Sequence, residues 1–123
     1  MKIYVSHSRN YNYRKELYDP LRNSVLNREH EIILPHEYDT TQIDSKELLR
    51  RGCDIMIADV TFPSIGVGME IAYADDSGVP IICVFRKGSA PSSSLRKVTQ
   101  RFIEYETIEG LISDIEKLLP EFQ

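Results

Sequence analysis

The sequence has no tryptophan, two cysteines, three histidines and fewer basic than acidic residues, and each shortage removes a class of function. A formal net charge of -4 argues against a nucleic-acid polymer as partner, because backbone phosphates demand clustered Lys and Arg. A single nucleotide stays admissible, since one phosphate needs only a few donors. The spacing of Cys53 and Cys83 matches no zinc or redox motif. Each lies at or in an apolar, strand-like run, so both are expected to be reduced, buried core thiols. The histidines form no i, i+4 ligand pair, so no metal is expected, and no cofactor either. No apolar run is long enough to span a bilayer, and residues 1–5 read as a strand rather than a signal segment. A cytoplasmic protein without a membrane partner is expected.

What is there describes an ordinary globular chain, 41% hydrophobic and 28% charged. Its 123 residues suit one domain, residues 1–123. Residues 2–6 are β-branched and aromatic, hence a first strand. In residues 13–26, Leu17, Leu21 and Val25 recur at i, i+4, i+8 and predict a helix, with Pro20 kinking it or starting a second segment. Residues 31–34 form a second strand and 35–42 a loop. Asp44 followed by Glu47 reads as a helix cap with an acid three residues on, for a helix ending at Gly52. The apolar runs in residues 54–60 and 81–85 suit parallel strands buried on both faces. A helix over 67–76, closed by Gly78, stands between them. Ser94 is read as the cap of a short helix after the loop of residues 86–93. A last strand spans 102–105 and a last helix 108–119.

Five strands alternating with helices predict an α/β fold. The expected form is a three-layer, open, parallel five-stranded sheet, flavodoxin- or Rossmann-like, in the order 2-1-3-4-5. Ligands bind such sheets beyond the carboxyl ends of the strands. Functional groups are therefore expected in the loops after strands 1, 3 and 4, at residues 6–10, 61–70 and 86–94. The middle loop is the most informative. Gly66 and Gly68 let backbone N–H groups approach a ligand, a helix N-terminus there favours an anion, Ser64 adds a hydroxyl, and Glu70 follows in the first turn. Gly66 and Gly68 also match the start of a dinucleotide fingerprint, but Ile71 occupies the third glycine position and the strand is the third, so that reading is weak.

The string Ala58-Asp59-Val60-Thr61, then Pro63-Ser64-x-Gly66-x-Gly68-x-Glu70, then Ala72, resembles the nucleoside 2-deoxyribosyltransferase family. It is most similar to the branch of 2′-deoxynucleoside 5′-monophosphate N-glycosidases. Residues 2–5 with their Ser-containing loop, and residues 81–86 followed by Ser92-Ser93-Ser94, extend the resemblance across nearly the whole chain. The resemblance implies that Glu70 is the nucleophile, that Ser64 and Ser8 contact phosphate, and that Tyr4 is an aromatic of the site. Ser94 would reach the phosphate site of a neighbouring subunit, which implies a homodimer with shared sites. The family's second acid aligns best with Asp44 if a small insertion is allowed. Ser6, His7 and Asp59, together with Gly66 and Gly68, complete the expected substrate-binding set. That branch usually has glycine where His7 stands, and residues 10–13 lack its Arg-Gly-Gly run.

The expected function is cleavage of the N-glycosidic bond of a (deoxy)nucleoside or its 5′-monophosphate, by hydrolysis or by transfer of the sugar to another base. Simpler readings stand beside it. Asp44 and Ser64 could be only helix caps, Asp59 could bond only loop backbone, and Tyr4 could be only core. Lys15, Arg22 and Arg28 read as a solvated helix face. Val5-Ser6-His7-Ser8 faintly resembles TIR-type domains, so a non-catalytic nucleotide-binding or signalling module is the alternative. A flavin binder is disfavoured, because the first loop lacks a Ser/Thr/Gly run and no tryptophan is present to stack on a ring.

Overall fold

The computed structural model describes residues 1–38 and 44–123, so the expected loop at 35–42 lies partly outside the described residues. The strands are β1 (Lys2–Ser6), β2 (Glu31–Ile33), β3 (Ile55–Asp59), β4 (Ile81–Arg86) and β5 (Phe102–Tyr105). All pair in parallel in the order β2-β1-β3-β4-β5, as expected. The registers Ser6↔Ala58 and Asp59↔Val84 bring the carboxyl ends of β1, β3 and β4 to one rim.

The helices are α1 (Asp19–Arg22), α2 (Val25–Glu29), α3 (Ser45–Arg51), α4 (Ile65–Asp76) and α5 (Ile108–Leu118). Alternation along the strands sorts the core into two layers. Ile3, Val5, Ile55, Ile57, Ile82 and Val84 pack with Leu21 of α1, Leu26 of α2 and Leu111 and Ile115 of α5. Tyr4, Met56, Ala58, Ile81 and Cys83 pack on the other face with Leu49 of α3 and Val67, Ile71 and Ala74 of α4. Each fully buried Leu or Ile contributes roughly 1.5–3 kcal/mol of transfer free energy, so both faces must be covered. Cys83 is buried and Cys53 partly so, both as free thiols. No helix among the described residues is long and apolar enough to cross a membrane.

Three local expectations need correction. The helix predicted over 13–26 is three pieces: a π turn at Arg14–Tyr18, then α1, then α2. Pro20 has no N–H to give the residue-16 carbonyl. The N–H of Asp19 instead reaches back five residues to the Arg14 carbonyl, and the chain restarts with Pro20 in the first turn of α1. Helix α4 begins at Ile65 rather than residue 67, because Ser64 caps it by accepting the Val67 N–H (3.4 Å). The short helix near residue 94 is a 3₁₀ turn, Ser93–Lys97, capped by Ser92, whose hydroxyl accepts the Ser94 N–H. Gly78 closes α4 as expected, at φ 75, a left-handed conformation that glycine adopts without strain.

Arg22 is not a solvated charge. Its guanidinium donates to both oxygens of Glu37 (2.7 and 2.8 Å), to the Ile32 carbonyl (2.9 Å) and to Asn27 Oδ1 (3.0 Å). This half-buried fork ties α1 to the segment leaving β2, and it holds the Glu37 carboxyl below its ordinary range.

Candidate active site

Residues 4 and 6 share a strand face with α3 and α4, and this places two hydroxyls beneath Glu70. Tyr4 donates its phenol proton to Glu70 Oε2 (2.5 Å), and Ser6 Oγ donates to Oε1 (2.7 Å). One carboxyl thus accepts a hydrogen bond on each oxygen from residues 66 and 64 positions away. Tyr4 is wholly buried. Burial first, and then the neighbouring Glu70 charge, push its phenol far above the ordinary tyrosine range, so it stays protonated and remains a donor. Because α4 starts early, Glu70 sits in the second turn rather than the first, and about 9 Å of helix rise separates it from the Ser64 cap.

Glu70 opens into a cavity of about 460 Å³. His7 and Arg9 come from the loop after β1, His36 from the segment after β2, and Asp44, Ser45 and Lys46 from the start of α3. Ser64, Gly66, Met69 and Tyr73 come from α4 and its cap. Asp44 caps α3 as expected, its Oδ1 accepting the Glu47 N–H (3.2 Å), and still faces this cavity. Gly66 lies in the first turn of α4, where the N–H groups outnumber helix carbonyls able to accept them.

His7 is fully committed within the protein. Its Nδ1 lies 2.8 Å from the Ser8 carbonyl, which can only accept, so that nitrogen carries the proton. Its Nε2, 2.6 Å from the Tyr18 hydroxyl, must then accept from it, while that hydroxyl accepts the His36 N–H (3.0 Å). Burial lowers the His7 pKa and favours this neutral form. His7, expected in the substrate-binding set, thus lines the cavity as an uncharged ring whose two nitrogens are bonded within the protein. His36 packs edge-on to His7, with centroids 5.6 Å apart, and burial lowers its pKa as well.

Other expected residues fall elsewhere. Asp59 occupies the opposite strand parity from Tyr4 and Glu70's partners. It is buried, accepting the Thr61 N–H (3.0 Å) and the Tyr105 hydroxyl (2.6 Å), and it shapes the loop rather than facing the cavity. Ser8 is buried, its hydroxyl accepting the Asn10 N–H (3.1 Å). Gly68 cannot offer its N–H, which the Ser64 carbonyl accepts (3.1 Å). Neither Gly66 nor Gly68 has a positive φ, so the expected glycine loop is the first turn of a helix. Gly68 and Ser94 line a second cavity, about 450 Å³, with Phe62, Leu95 and Val98, and Ser64 borders both cavities. Within one chain, Ser94 and Glu70 thus do not share a cavity.

Arg9, His36, Lys46 and Tyr73 were not singled out from the sequence. Tyr73 carried a usable signal, since it stands three residues after Glu70 and must share its helix face. The other three carried none, because they enter from separate elements.

No protein-family model matches the chain. Among curated proteins, a 2′-deoxynucleoside 5′-phosphate N-hydrolase 1 of Methanococcoides burtonii is 31% identical over 109 residues, 77% of this chain and 88% of that protein. The chain belongs to the 2′-deoxynucleoside 5′-phosphate N-hydrolases, a branch of the nucleoside 2-deoxyribosyltransferase family. A family member of the same name from Syntrophotalea carbinolica is 36% identical over 76 residues, 58% of this chain; there the chain spans about half, 52%, of the relative's length. The solved structure of a CMP N-glycosidase from Clostridium botulinum superposes with a TM-score of 0.68 at 17% identity, covering 94% of this chain and 99% of that one, and so shares the fold.

Proposed function

We propose that this chain is an N-glycosidase acting on a (deoxy)nucleoside 5′-monophosphate, with Glu70 as nucleophile and residues 1–123 as one catalytic domain. The observation that carries the reading is the Glu70 carboxyl held by the Tyr4 and Ser6 hydroxyls at a cavity on the sheet's carboxyl rim. In the reaction, the C1′–N bond breaks and its electron pair leaves with the base. Positive charge builds on the sugar, and one Glu70 oxygen bonds to C1′ as an ester. Tyr4 and Ser6 hold both oxygens, so the carboxylate meets C1′ in one orientation. Water then adds to C1′, releases Glu70 and yields the sugar phosphate; a second base in place of water would make the step a transfer. Asp44, in the same cavity, is the general acid for the departing base. Ser64 and the first turn of α4 form the anion end, suited to the 5′-phosphate.

The second cavity supports a homodimer with shared sites. Its lining is mostly apolar, Ser94 and Ser64 both border it, and Ile65, next to Ser64 in the chain, is 85% exposed. A second copy covering this face would bring its Ser94 to the Ser64 end of the first site. Light scattering on the purified protein at several concentrations checks this, and a strictly monomeric, fully active protein rejects it.

The deciding experiment incubates the protein with nucleosides and their 5′-monophosphates and separates free base by chromatography. Release is expected from a monophosphate and should vanish in Glu70→Ala. A 2′-fluoro substrate, which slows sugar release, should leave a mass adduct on the Glu70 peptide. Base release at the wild-type rate by Glu70→Ala rejects the covalent route, and ligand binding without any release favours the signalling-module alternative.

A further inference from the structure

Helix α4 acts as a ruler across the cavity. Ser64 caps its N-terminus, Glu70 stands six residues on, and Tyr73 three further, about 4.5 Å along the axis. With the phosphate at the cap and C1′ at Glu70, the base lies toward Tyr73. At that end stands a cation outside the mechanism described so far. Lys46, from the first turn of α3, faces the same cavity, with Nζ 5.4 Å from the Tyr73 ring centroid. No carboxylate among the described residues pairs with it. The ring face restrains the ammonium through its quadrupole while leaving its N–H donors unspent.

We infer that Lys46, held over Tyr73, binds the leaving base and stabilises the negative charge it acquires, selecting bases with a carbonyl oxygen next to the glycosidic nitrogen, as in pyrimidines. This rests on the N-glycosidase reading above. When the C1′–N bond breaks, the electron pair on nitrogen delocalises onto that adjacent oxygen. An ammonium donating a hydrogen bond there is stronger in the transition state than in the ground state, which is what lowers a barrier. Lys46 keeps its own proton throughout, and Asp44, in the same cavity, delivers its proton to the base as the C1′–N bond finishes breaking, while negative charge is already on the base. A purine has a ring carbon and no such oxygen beside its glycosidic nitrogen, so it gains less.

The test uses the full chain and a series of 5-substituted 2′-deoxyuridine 5′-monophosphates, fluoro, bromo, unsubstituted and methyl, whose bases differ in acidity. Lys46→Met keeps the aliphatic stem and Lys46→Arg the charge. For Lys46→Met, kcat/KM should fall about 10- to 100-fold on the least acidic base and much less on the most acidic, steepening the dependence on base acidity. Lys46→Arg should restore the shallower slope in part. Inhibition by 2-deoxyribose 5-phosphate, which lacks the base, should not change. An equal loss across the series, or weakened inhibition by the sugar phosphate, overturns the assignment and places Lys46 on general packing or on the phosphate. If the wild type releases no base from any member, the N-glycosidase reading itself fails; release by the wild type with an unchanged slope in Lys46→Met defeats this inference alone.

Discussion

Replacing Tyr4 by Phe removes a single hydroxyl and nothing else from the hold on Glu70. The ring remains wholly buried among Met56, Ala58 and Ile71, so apolar packing is kept. What is lost is a hydrogen bond to a carboxylate, a kind worth about 1.5–3 kcal/mol. At about 1.4 kcal/mol per factor of ten, kcat/KM should fall by about 10- to 100-fold. Glu70 still lines the cavity and keeps its hydrogen bond from Ser6, so thermal stability should change by only about 1 kcal/mol. Ser6→Ala should behave alike, since it removes the donor to the other oxygen. The double variant should lose less than the product of the two factors, because a carboxyl freed on one side is already misaligned. Initial rates of base release, read beside thermal melts by circular dichroism, test this. A Tyr4→Phe enzyme within twofold of wild type would refute the positioning argument. So would a loss of activity that merely tracks a large drop in melting temperature.

Ser64→Asp keeps a good helix cap but sets a negative charge at the proposed phosphate end, so kcat/KM for a monophosphate should fall at least about 10-fold while that for the free nucleoside holds; parallel kinetics on both substrates show it. His7 and His36 both titrate below their usual value of 6.5 in the folded chain, chiefly through burial, so the unfolded chain binds more protons below that pH. Stability is therefore complete above about pH 6.5 and declines as pH falls toward the folded values, by at most about 1.4 kcal/mol per pH unit for each ring. Urea titrations from pH 7.5 to 5 should show this decline, and His7→Gln should flatten it. Glu37→Gln breaks the half-buried fork with Arg22 and should cost about 1–3 kcal/mol of stability; a change below about 0.3 kcal/mol in the urea midpoint analysis would contradict the clasp.

Much of the architecture was legible without coordinates. Unbroken apolar runs such as Ile55-Met56-Ile57-Ala58 suit only a strand covered on both faces, and their alternation with helices leaves a parallel sheet with few admissible orders. That Glu70 faces the rim was legible too, from the glycine-flanked turn that follows a buried strand, although it stands in the second turn of the helix and not the first. Helix starts were read less well. The glycines at 66 and 68 looked like loop residues, yet the Ser64 hydroxyl supplies a cap that lets the helix begin before them.

What no local pattern contains is which side chains meet across the sheet. That Tyr4 and Ser6 grip Glu70 while Asp59 turns to Tyr105 follows from strand parity combined with the β1–β3 register. The Nδ1 of His7 finds its acceptor next door in Ser8, but the commitment of Nε2 needs Tyr18 from one element and the backbone of His36 from another. The Arg22–Glu37 clasp and the Lys46–Tyr73 stack likewise join residues 15 and 27 positions apart. Periodicity reports only whether one face of one element is apolar, whereas a site is made where several elements end together. The chain alone therefore determined the layers and the rim, and packing decided which polar groups on that rim remain free to do chemistry.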